Sequence, residues 1–160
     1  MHGQRRQAHA ARQDLQGQLR QEAARPPEQE DEEAGLKVFL ALGALLAAAA
    51  VGLGAFGAHG LKTRFPSEML ALWQTAVHYH AWHALGLLAV GLAGFHFEGN
   101  WLKAAGWLLL AGIGLFSGSL YALALAAPRV LGIVTPVGGL AFILGWLAFA
   151  LAIICARRPA

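Results

Sequence analysis

The chain has 160 residues, 57% hydrophobic and only 13% Lys, Arg, Asp or Glu, with a formal net charge of +3. That balance lies outside the range of soluble domains, which need charge spread over their exterior. The charge is also too weak and dispersed for nucleic acid, and no Lys/Arg block is interleaved with aromatics.

Charge is segregated. Of the 21 Lys, Arg, Asp and Glu residues, 13 fall within residues 1–37. Residues 1–35 therefore read as a flexible charged tail, with Leu15 and Leu19 at i,i+4 supporting a weak helix and Pro26-Pro27 stopping it. The acidic run Glu30 to Glu33 is solvated. The tail is no secretory signal, because the apolar run that follows is too long and comes too late.

Four apolar runs follow, over about 37–58, 68–95, 101–126 and 135–156. At 1.5 Å per residue each matches or exceeds a hydrocarbon core roughly 30 Å thick. Ser67 suits the N-cap of the second helix, and Thr135-Pro136 suits the N-cap and first position of the fourth. The short connections hold too few charges to solubilise a bundle. The expected fold is all-α: an integral membrane four-helix bundle over residues 36–156. Cys155, alone near the end of the last run, is expected to be a buried, inert thiol.

Small residues let helix backbones approach where burial from water no longer drives packing. Gly54 and Gly57 in the first helix, Gly114 and Gly118 in the third, and Pro136, Gly138 and Gly139 in the fourth are the expected packing positions, leaving little room for a wide pore. Lys and Arg near helix ends divide as Arg20, Arg25, Lys37, Lys103, Arg157 and Arg158 on one side, and Lys62, Arg64 and Arg129 on the other. The excess places both termini in the cytoplasm of a bacterial inner (plasma) membrane.

Polar residues then fall at one level. His59 ends the first helix on the non-cytoplasmic side, and Gln74, Thr75, His78, Tyr79, His80 and His83 enter the second from it. Ser117, Ser119 and Tyr121 approach it on the third, and Thr135 begins the fourth there. A polar side chain in hydrocarbon must be paired, line water or reach the interface. At 100° per residue His80 and His83 lie about 60° apart and Tyr79 and His83 about 40° apart, so all three can face the bundle while His78 looks elsewhere. The second helix also overruns the hydrocarbon, so His78 and His80 are expected to be wet at the rim and His83 alone inside. The expected network is His59, Gln74, Thr75, Tyr79, His83, Ser117, Ser119, Tyr121 and Thr135. His83 stands either in a structural hydrogen-bond network or in a proton or ligand role. His59 with His83 is the pair able to flank a haem iron, and His59, His80 and His83 together the set open to a metal, though no carboxylate or thiol completes it.

The stretches GAFGAHGL (54–61), WQTAVHYHAWHAL (73–85), LFSGSLYALAL (115–125) and TPVGGLAFILGW (135–146) resemble the family of small four-helix membrane proteins called domain of unknown function 423, which includes eukaryotic transmembrane protein 256. The resemblance spans about 36–156 and leaves the tail outside. It marks Gly57, His59, Gln74, Thr75, Tyr79, His83, Ser117, Gly118, Ser119, Tyr121, Thr135, Pro136 and Gly139, but not His78 or His80, and it implies no established activity.

No nucleophile–base–orienter set, phosphate loop or carboxylate pair occurs. The expected role is a non-enzymatic accessory or packing subunit, with no cofactor and no resident metal. Its partners are the bilayer and either a larger membrane complex or further copies of the chain, with no nucleic acid. The alternatives are a small transporter or proton-linked protein using His83 and Tyr79, and a haem- or metal-binding protein using His59 and His83.

Overall fold

A computed structural model describes residues 9, 11–18, 20 and 27–155. The chain divides into two units between residues 33 and 34. In the first, residues 11–18 are helical and exposed. The described residues 27–155 form helices and helical turns joined by short links. In chain order these are α1 (Pro27–Ala55), a π-helical turn π1 (Phe56–Leu61), α2 (Ser67–Ala93), α3 (Asn100–Gly112), a second π-helical turn π2 (Ile113–Ser117), α4 (Gly118–Ala124), a 3₁₀ turn (Arg129–Ile133) and α5 (Val134–Cys155).

Three segments are long and apolar enough to cross a membrane: Lys37–Leu61, Asn100–Ala124 and Arg129–Cys155. Helix α2 has 27 residues and is long enough at roughly 40 Å, but the polar residues of its first half hold its hydropathy below that of the other three. The all-α expectation is met, and three spans stand on length and composition.

Boundaries depart from expectation in ways the sequence explains. Helix α1 begins at Pro27 rather than near residue 37, so its first turns take in the acidic run assigned to the tail. Proline suits a first helical position, where no N–H is needed, and acidic residues suit the positive end of the helix dipole. Ser67 is the first residue of α2, and Pro66 occupies the cap without a side-chain bond. Helix α5 starts one residue before Thr135, so Pro136 is its third residue and not its first. Cys155 is exposed, not buried. Arg25, Arg157 and Arg158, which entered the orientation argument, lie outside the described residues.

The main core gathers Phe39 from α1, Ala84, Leu87 and Val90 from α2, Leu102, Ala105 and Leu109 from α3, Ile113 from π2, and Phe142, Ala148 and Ala152 from α5. Close backbone approach makes it possible. A methyl group at Gly91 would come within 2.6 Å of Leu40, and one at Gly138 would overlap the amide nitrogen of Phe116. Ordinary side chains there would force α1 from α2, or α5 from π2. A smaller cluster of Leu61, Trp73 and Ala124 closes the other end.

Candidate functional site

Helix α2 supplies the polar centre. His80 and His83 are buried, while His78 is exposed and Tyr79 is 45% exposed. Both histidines turn inward, His80 against the expectation that it would be wet at the rim. His80 Nδ1 lies 3.3 Å from the Tyr121 hydroxyl on α4, and its Nε2 is buried without a partner. His83 donates its Nδ1–H to the Tyr79 carbonyl one turn back, at 2.6 Å. A carbonyl can only accept, so this bond fixes the proton on Nδ1. The His83 ring lies on Phe142 of α5, with centroids 3.4 Å apart and 12° between planes. Tyr79 in turn sits 4.5 Å from the Phe116 ring.

The second polar joint ties α4 to α5. Ser119 donates its hydroxyl to the Phe116 carbonyl at 2.9 Å, and its oxygen lies 2.8 Å from Thr135 Oγ1. With the serine proton committed, Thr135 is the donor across the gap. The hydroxyl expected to cap α5 is thus spent on a neighbouring helix. Ser117 is fully buried, and its oxygen has no partner.

The expected network therefore appears as separate joints and not as one cluster. His59 and Gln74 are exposed, and among the described residues no hydrogen bond or ring contact joins His59 to His83. Thr75 turns its hydroxyl back to the Ala71 carbonyl of its own helix, at 2.9 Å. The reason is geometric: π1 carries His59 on an outward face of its wide turn, and Gln74 points away from the His80–His83 side of α2. Among the described residues no group of three or more His, Cys, Asp or Glu gathers as a metal would require.

Packing glycines also divide. Gly57 lies beneath the Trp73 indole and Gly54 touches Val77, while Gly138 and Gly139 face Phe116. Among the described residues Gly114 has nothing near it, and Gly118 meets only the Ile113 carbonyl of its own helix. Pro136 is exposed on the α5 surface.

Sequence reasoning passed over His80, Trp73, Phe116 and Phe142. His80 carried a signal in its angle, but the family pattern omits it. The Trp73 indole N–H donates to the Leu53 carbonyl at 2.9 Å and its ring lies 4.7 Å from that of Tyr121. A buried indole generally needs such an acceptor, and that was a usable clue. Phe116 and Phe142 stand in apolar runs where nothing distinguishes them from lipid-facing neighbours.

An all-helical chain with three apolar segments of spanning length, cemented by glycine contacts and a few interhelical polar joints, is a bacterial multi-pass membrane protein. Residues 53–139 match the family model described as Protein of unknown function (DUF423), and the chain belongs to that family, as its four stretches implied. It is 50% identical over 118 residues to the UPF0382 membrane protein YwdK of Bacillus subtilis (strain 168), covering 73% of this chain and 96% of that relative. A UPF0382 membrane protein of Staphylococcus epidermidis is 50% identical over 119 residues, covering 73% and 95%. No solved structure matches.

Proposed function

We propose that the protein is a four-span, non-enzymatic packing subunit of a larger membrane assembly, with both termini on the cytoplasmic face of the plasma membrane. Placing α2 in the bilayer as the fourth span is supported by its burial: Ala76, Ala84, Leu87 and Val90 are fully enclosed by the other helices. Its polar residues occupy the half nearer one surface, where pairing and headgroups relieve their cost.

The observation that carries the assembly role is the outer face of α1. Ala44, Ala48 and Gly52 recur at every fourth residue, all exposed, and a methyl group added at Gly52 would meet nothing. This spacing suits close approach of another helix, and the described residues leave it open. Gly114 offers a second open position on π2.

Native mass spectrometry of the protein extracted in mild detergent tests the reading. A defined oligomer or a complex with a larger membrane protein is expected, and Ala48→Leu with Gly52→Leu should release the monomer without loss of helicity. A wild-type particle that is strictly monomeric would overturn it.

A further inference from the structure

Between α2 and α5 lies a groove of about 480 Å³ walled by Tyr79, Phe116, Pro136, Phe142 and Trp146, with His83 set among them. Its volume is within the range of sites that hold small organic molecules. Tyr79 and His83 also border an adjoining hollow of about 430 Å³, shared with His78 and Trp82. His83 is 8% exposed, and its ring is held twice, by the Tyr79 carbonyl and by the Phe142 face. With the proton on Nδ1, the neutral ring presents Nε2 as a hydrogen-bond acceptor.

These features define an occupant. The walls are largely aromatic, and flat π-systems stack on such surfaces better than saturated chains do. The rim residues Leu140 and Ile143 are exposed and apolar, so the approach is from lipid and not from water. An acceptor at the inner wall selects a ligand that brings an O–H.

We propose that this groove binds a membrane-soluble hydroxylated aromatic ring of the quinol headgroup class, its hydroxyl donating to His83 Nε2. The step is binding alone, and it rests on α2 lying in the bilayer, as proposed above.

The test is calorimetric titration of the detergent-solubilised protein with a short-chain benzoquinol under reducing, oxygen-free conditions. The matching benzoquinone and a straight-chain alcohol of similar size are the comparisons. Saturable quinol binding is expected, with the quinone roughly tenfold weaker because it lacks the donor, and the alcohol weaker still. His83→Phe keeps a flat ring against Phe142 and should erase the preference for the reduced form. Absence of saturable binding by wild-type protein would overturn the proposal, as would equal affinity for quinol and quinone. The placement of α2 is read separately, by labelling Leu85→Cys on a Cys155→Ser background with a membrane-impermeant maleimide. Protection with a flat titration overturns only the ligand, whereas labelling overturns the entry from lipid and the proposal with it.

Discussion

The His80 imidazole and the Tyr121 hydroxyl meet at 3.3 Å, joining α2 to α4, while the other nitrogen of that imidazole is buried alone. The arrangement is unequal. Tyr121 loses one bond if the pair is broken, whereas His80 would be left with two unpaired buried nitrogens.

Tyr121→Phe is therefore expected to cost more than His80→Phe. Stranding a buried polar atom costs about 1–3 kcal/mol, whereas removing both partners is close to neutral. The double variant should recover much of the Tyr121→Phe loss, so the coupling should exceed the ~0.6 kcal/mol average of bonds between membrane helices. Thermal unfolding in a fixed detergent measures all four proteins. Strict additivity would show that the contact contributes nothing.

The two serines of the SGS triplet should behave oppositely. Ser117→Ala removes an oxygen that is buried without a partner, so stability should hold or rise. Ser119→Ala breaks the joint to Thr135 and should lower it by about 0.5–1.5 kcal/mol. Denaturation curves of both variants decide this, and a greater loss at Ser117 than at Ser119 would contradict the assignment.

Glycine replacements separate internal from external packing. Gly138→Ala places a methyl group against the Phe116 backbone, which cannot swing aside as a side chain can. A loss of about 1–3 kcal/mol or more is expected, with reduced yield. Gly114→Ala meets nothing among the described residues and should leave the unfolding temperature unchanged. Its effect, if the assembly reading holds, appears only in oligomer size.

Membrane topology gives the fourth expectation. If α2 crosses, Lys62→Cys and Glu98→Cys, at its two ends, should react with an impermeant maleimide from opposite sides, Lys62→Cys from outside. Reaction of both from the same side would reduce the spans to three.

Much of the architecture was legible in the sequence because hydrocarbon imposes one strong rule. Long runs without charge must be helices, and glycines such as Gly57 and Gly138 within them mark close approach, whereas Gly91 went unread and Gly114 meets nothing among the described residues. Helical angle allowed His80 and His83 to face inward, but the length of the helix argued for a wet His80, and it is buried. Assembly of the polar residues was less legible. Depth placed His59, Gln74 and Thr75 beside the others, but depth does not fix azimuth, and each of the three turns away. Nor did a run such as AFILGW announce that Phe142, rather than Ile143, would lie on an imidazole.

The wide turn at Ile113–Ser117 has a consequence for anyone projecting this helix onto a wheel. A turn of this type takes in one residue more than its regular counterpart, so everything beyond it is set back by about 100° from a regular wheel. Tyr121 and Ser119 reach their partners on two different neighbours from that shifted phase. Deleting a single residue such as Gly114 would return the turn to regular helix with both hydroxyls still on their partners, whereas inserting one beyond it would swing them about 100° toward the wrong helices.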